Sequence, residues 1–135
     1  MDVEVGMVVP PLEVPSVDAE KMKTMAALLA DPNPIHWDVA AVRALGMGDQ
    51  PVNQGPVNMA YAMTMLTDWA GGYDRLRTFR VRFVGNVVAG DHLVARGVVV
   101  ALREEEGQRL ADCEVRLERA DGTPVLQGTA TVMVD

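Results

Sequence analysis

Cysteine is almost absent from this chain: its 135 residues include one, Cys113. That excludes an internal disulfide, and no Cys/His cluster has metal-ligand spacing. Histidine is as rare, with only His36 and His92. No glycine-rich loop of the Walker or dinucleotide type occurs, so no resident cofactor is expected. Basic residues are outnumbered, 12 against 19 acidic ones, for a net charge of −7. A nucleic-acid binder would show a basic excess, so no nucleic-acid partner is expected. No apolar run approaches the roughly 18–20 residues of a membrane span. The start, Met1-Asp2-Val3-Glu4, is acidic and unlike a signal peptide. A cytoplasmic protein without a membrane partner is the expectation. Aromatics are only 4 % of the residues, whereas methionines number nine. Methionine fills irregular apolar space, so some of these are expected to line a pocket and most to pack the core.

What is present suits a folded protein. Hydrophobic residues make up 49 % of the sequence, and the length suits one domain, residues 1–135, rather than two. No repeat, linker or low-complexity segment interrupts it. A helical first half precedes a strand-rich second half, which is the α+β pattern.

Gly6 to Val14 is apolar but holds Pro10-Pro11, which restricts it to an edge strand or an extended lead-in. Asp18 reads as a helix N-cap, with Met22, Met25, Ala26 and Leu29 at helical spacing behind it. That helix should stop near Ala30, because Pro32 disfavours α geometry at Asp31. A short helix is expected after Pro34, through Val39, Val42 and Leu45, ending at Gly46. Gly55-Pro56 opens a longer helix. From Val57 to Ala70 it is apolar on nearly every side, the mark of a buried helix, and Gly71-Gly72 ends it. Strands follow. Phe79, Val81 and Phe83 alternate with polar residues, Leu93 to Leu102 is rich in valine, and Cys113, Val115 and Leu117 alternate with charges. Asp121-Gly122 is a hairpin signal before a last strand over Val125 to Val134. At least four antiparallel strands thus accompany one buried helix, and a curved sheet around that helix is the economical arrangement.

The segment Asp31-Pro32-Asn33-Pro34-Ile35-His36 carries the chemistry. It sets a carboxylate five residues from an imidazole, across a bridge stiffened by two prolines. Asp and His are the usual carriers of protons near neutral pH. A stiff bridge holds acid and base at a set separation, as addition or removal of water across a double bond requires. The same six residues also read as a turn and helix start, with Asp31 or Asn33 as a cap and Pro34 at the first helical position.

The wider pattern resembles the MaoC-like branch of the hot-dog fold, the (R)-specific enoyl-thioester hydratases and dehydratases. Their motif, roughly Gly-Asp-x-Asn-Pro-(Leu/Ile/Val)-His with an acidic residue two positions on, is similar to Ala30 through Asp38. The glycine that opens the family's central helix matches Gly55, nineteen residues after His36. The family's Phe-x-x-x-Val-x-x-Gly-Asp region matches Phe83 through Asp91, and its last hairpin matches Asp121-Gly122 through Gly128. The resemblance spans nearly the whole chain. Ala30 stands where the motif has glycine, Gln54 where a histidine usually precedes the helix glycine, and Pro56 where a hydrophobic residue is usual.

The resemblance implies an antiparallel sheet wrapped around a central helix, and reversible hydration of a trans-2-enoyl thioester to the (R)-3-hydroxyacyl thioester. Asp31 and His36 would be the catalytic pair and would hold one water between them. Asn33 would position them, and the Gly55 N–H would donate to the thioester oxygen. Gln54, Arg80 and Arg82 are candidates for substrate binding, the arginines for the phosphates of coenzyme A. For them helix packing and the wet face of a strand are the plainer explanations, and the same holds for Arg75 and Arg77. Asp91-His92 reads as a solvated turn, Cys113 as a buried inert thiol, and Trp37 and Trp69 as core or interface. Coenzyme A enters only as part of an acyl-CoA substrate, with an acyl-carrier thioester as the alternative. Family members pair their sheets, which implies at least a dimer: a homodimer, a heterodimer or a higher hot-dog oligomer. Two other readings stand beside the hydratase, a subunit of a heteromeric 3-hydroxyacyl-thioester dehydratase and a hot-dog acyl-CoA thioesterase.

Overall fold

The computed structural model describes residues 1–135. In chain order it contains β1 (Val8–Val14), α1 (Ala19–Leu28), a 3-10 turn at Pro34–His36, α2 (Val39–Ala44), α3 (Gly55–Ala70), a second 3-10 turn at Tyr73–Arg75, and then β2 (Leu76–Phe83), β3 (Leu93–Glu105), β4 (Gln108–Arg119) and β5 (Pro124–Met133). The five strands form one antiparallel sheet in the order β1-β3-β4-β5-β2. β1 is an edge strand, and its register breaks between Val9 and Leu12, where Pro10 and Pro11 have no N–H to donate.

Helix α3 packs across one face of this sheet. Its Ala62, Met65, Leu66 and Ala70 share a core with Val9, Ala95, Val99, Val115, Leu117 and Leu126. Burying each such leucine contributes about 1.5–3 kcal/mol. The helix approaches closely because β3 carries Gly97 beneath it: a Cβ there would lie 3.2 Å from Met65 Cε and 3.3 Å from Val9 Cγ2. Gly71, at φ +92°, takes the left-handed conformation that ends α3.

Three expectations need correcting. α3 is not buried on all sides: Pro56, Ala60 and Asp68 are exposed, and Met63 and Trp69 only half-buried. One sheet covers one face of a helix and leaves the rest. In α1 only Met22 and Ala26 are buried; Met25 is half-buried and Leu29 is exposed. The helix after Pro34 is split, because Trp37 at φ −147° separates the 3-10 turn from α2. The Asp18 cap does form, with its carboxylate accepting from Glu20 N–H at 2.9 Å. Asp18→Ala is therefore expected to lower unfolding free energy by about 1 kcal/mol, read as a shifted urea midpoint at constant slope.

Candidate active site

The segment from Ala30 to His36 is folded by its own side chains. The Asp31 N–H donates to Ala26 O at 3.0 Å, closing α1. Ala30 sits at φ +51°, in the left-handed region that favours glycine. The turn therefore keeps its shape despite the alanine, at a cost of about 1–2 kcal/mol. Asp31 Oδ1 accepts from Asn33 N–H at 3.0 Å, and Asn33 Oδ1 accepts from Ile35 N–H at 3.3 Å. Pro34 takes the first position of the 3-10 turn. These are the capping roles the turn reading allowed, and they coexist with an acid–imidazole contact. His36 Nε2 lies 3.0 Å from Asp31 Oδ2.

His36 is held from its other side as well. Its Nδ1 is 2.6 Å from the carbonyl oxygen of Val52, and the Val52 N–H donates to Ile35 O at 2.8 Å. A carbonyl oxygen only accepts, so Nδ1 carries a proton. Nε2 then meets Asp31 with an attractive contact only if one proton lies between them. The pair is either carboxylate with imidazolium or carboxylic acid with neutral imidazole. The His36 side chain is 8 % exposed and that of Asp31 31 %, so the pair is sheltered but reachable from the carboxylate side.

Val52 also ties the pair to the start of α3, three residues on. Gln54 is the N-cap of that helix but makes no side-chain cap bond. Its amide is fully buried and donates to Met22 O at 2.8 Å, pinning α1 against α3, while Gln54 Oε1 has no partner. Gly55 is the first helical residue, so its N–H has no acceptor within the helix and stands at the positive end of the dipole. Pro56 has no N–H, which leaves the Gly55 donor without a neighbour in that turn. Phe83, at the end of β2, lies over Gly55; a Cβ on Gly55 would meet its ring at 3.2 Å.

The remaining predicted residues lie elsewhere. The Asn33 side chain caps the turn by accepting from Ile35 N–H, and it is the Asn33 backbone N–H that bonds the Asp31 carboxylate. Arg80 and Arg82 alternate with Val81, which packs toward the core. They occupy the other face of the sheet from α3, beside Arg116 and Glu114 in an open groove. They do not join the Asp31–His36 pair. Asp91 and His92 are not paired with each other: Asp91 Oδ2 accepts from Val88 N–H at 2.9 Å and from Arg119 Nε at 3.3 Å, and His92 faces Glu13 at 3.6 Å. Cys113 is buried, and that burial pushes its thiol up to about 11, so it stays protonated. Trp37 is 40 % exposed.

Three features escaped the sequence reading. The Val52 carbonyl is a backbone group and leaves no side-chain signal. Phe83 reaches Gly55 only through the sheet. The third is a cavity of about 310 Å³ between β1, α1 and α3, with Val14, Val17, Met25, Val57, Asn53 and Tyr61 among its walls. The signal for it was the pair Asn53 and Asn58, two amides where an apolar helix begins.

Comparison with known proteins gives the family and the fold. The family described as MaoC like domain matches residues 6–121. A UPF0336 protein from Leifsonia xyli subsp. xyli is 29 % identical over 96 % of this chain and 91 % of its own length. Among solved structures, an (R)-hydratase from A. caviae involved in PHA biosynthesis superposes with a TM-score of 0.85, at 25 % identity and 98 % coverage of both chains. The truncated HadBC (3R-hydroxyacyl-ACP dehydratase) complex from Mycobacterium tuberculosis gives 0.77 at 23 % identity, over 96 % of each chain. A five-stranded antiparallel sheet around a central helix, the Asp-x-Asn-Pro-x-His segment folded at the mouth of that helix, and a match over most of the sequence lead to one conclusion: the chain belongs to the MaoC-like dehydratase family and has the hot-dog fold.

Proposed function

We propose that this protein catalyses the reversible hydration of a trans-2-enoyl thioester, coenzyme A or acyl-carrier bound, to the (R)-3-hydroxyacyl thioester. The observation that carries the reading is the proton-sharing contact of His36 Nε2 with Asp31 Oδ2 at 3.0 Å, tied through Val52 to the free helix end at Gly55. At 3.0 Å the two groups meet directly, so a water held by both would not lie on the line between them. A water would instead sit beside them, bonded to both. In the forward direction the water oxygen adds to C3 and its proton passes to the Asp31 carboxylate. His36 delivers its Nε2 proton to C2. The pair starts and ends with one proton, so nothing else is consumed. As the C3–O bond forms, the thioester oxygen gains enolate charge, and the Gly55 N–H at the helix start would donate a hydrogen bond to it. Asn33 acts through its backbone N–H, which orients the Asp31 carboxylate.

The (R) stereochemistry is supported by the A. caviae (R)-hydratase, and a thioester substrate by the 3R-hydroxyacyl-ACP dehydratase neighbour. Assembly as at least a dimer is supported by the half-covered α3, and pairing with a related chain by the HadBC neighbour. The test is loss of the enoyl-thioester absorbance with crotonyl-CoA and with a longer enoyl-CoA, alongside a free-thiol assay. Loss of the band with (R)-3-hydroxyacyl-CoA formed and no thiol released is expected. Thiol release without formation of the 3-hydroxyacyl-CoA would instead make the protein a thioesterase.

A further inference from the structure

Asn53, Asn58 and Tyr61 have no part in the proton-transfer site, yet the two asparagines are only 6 % and 3 % exposed. Asn53 Nδ2 donates to Asn58 Oδ1 at 2.9 Å and reaches Tyr61 Oη at 3.4 Å. Those contacts occupy the donors of Asn53. They leave Asn53 Oδ1 as an acceptor and the Tyr61 hydroxyl proton as a donor. Both residues line the cavity of about 310 Å³, whose walls combine Val14, Val17, Met25 and Val57 with the polar Ser16, Asp18, Lys21 and Thr24. Water bonded to such groups is displaced at a loss by a plain hydrocarbon chain, which cannot replace its hydrogen bonds.

The cavity also adjoins the site. Asn53 lies two residues before Gly55 and Val57 two residues after it. At no more than about 3.6 Å per residue of extended chain, each is within roughly 7 Å of the glycine. A thioester resting on the Gly55 N–H therefore has its acyl tail within reach of this space. A single hydroxyl on that tail answers both free groups, donating to Asn53 Oδ1 and accepting from the Tyr61 hydroxyl. A ketone answers the second.

We infer that this cavity is the acyl subsite and that Asn53 and Tyr61 select an acyl chain bearing an oxygen function beyond C3 over a plain hydrocarbon chain. The inference rests on the hydratase reading, and its test is kept separate from turnover. Binding of unreactive probes is measured by calorimetry: octanoyl-CoA against its 5-, 6-, 7- and 8-hydroxy analogues. At one or more positions the hydroxylated probe is expected to bind about tenfold tighter, the worth of one to two net hydrogen bonds. Tyr61→Phe should remove most of that preference, and Asn53→Leu should reverse it in favour of octanoyl-CoA. Tyr61→Phe deletes a single oxygen, so it remains informative should Asn53→Leu fold poorly. Equal binding of all five probes by the wild-type protein overturns the inference, as does a preference that survives both substitutions. Hydration of crotonyl-CoA, whose tail ends short of the amides, is measured on the wild-type protein alone. Its failure with the hydroxyl preference intact counts against the hydratase reading and leaves the subsite standing.

Discussion

Asp31→Asn is expected to lower kcat for enoyl-thioester hydration by about 10²–10⁴-fold. The substitution keeps the shape of the side chain and an oxygen that can accept from the Asn33 N–H, as Asp31 Oδ1 does at 3.0 Å. The turn should survive and the melting temperature change little. What is lost is the ability to take a proton from water. His36→Gln is expected to fall in the same range, because removing the imidazole leaves Asp31 without a proton-sharing partner. The double variant should be little worse than either single one, since groups that act as a unit give non-additive losses. KM should change less than kcat, because in the proposed mechanism the pair acts on water while Gly55 holds the thioester. The measurement is the decay of the enoyl band with crotonyl-CoA. Retention of activity within tenfold of wild type by correctly folded Asp31→Asn would remove Asp31 from the mechanism.

Gly128→Ala is expected to destabilise the protein by about 3 kcal/mol. Gly128 in β5 is paired with Val81 of β2 and Val115 of β4, so it lies between two strands. A Cβ there would come 2.7 Å from Val81 Cα and inside contact distance of the Arg80 carbonyl oxygen. Those obstacles are backbone, and backbone within a paired sheet cannot step aside as a flexible side chain can. The alternative is to break the β2–β5 ladder, which carries Phe83 to its place over Gly55. Unfolding should shift down by roughly 10 °C in a thermal melt. Activity lost in parallel with a smaller thermal change would mean that β2 moves while the core holds. A melting temperature within a degree or two of wild type would show that the ladder has room the geometry denies.

Much of the architecture was legible because it is written in local rules. Asp18 caps α1, Gly55-Pro56 opens α3 and Gly71 closes it, and Pro10-Pro11 restricts β1 to an edge. Each depends on φ limits or on a missing N–H, which act within a few residues of the chain. The acid–imidazole segment belongs to the same class, since two prolines and an Asx cap set its shape. Burial was less legible. α3 reads as apolar all round, but how much of it is covered depends on one sheet with one concave face.

By itself, then, the sequence determined the α+β class, the ends of most elements, and the five-residue spacing that lets Asp31 meet His36. Short-range sterics and capping decide these things, and they need no distant partner. The tertiary structure alone decided that the Val52 carbonyl, sixteen residues from His36, holds the imidazole in its tautomer. It also decided that the Asn33 backbone N–H meets the Asp31 carboxylate, that Arg80 and Arg82 face away from the helix, and that Asn53 and Tyr61, bonded to each other, line one cavity of mixed character. Backbone acceptors, sheet faces and cavity walls are properties of packed surfaces from separate segments, and no single segment carries their pattern.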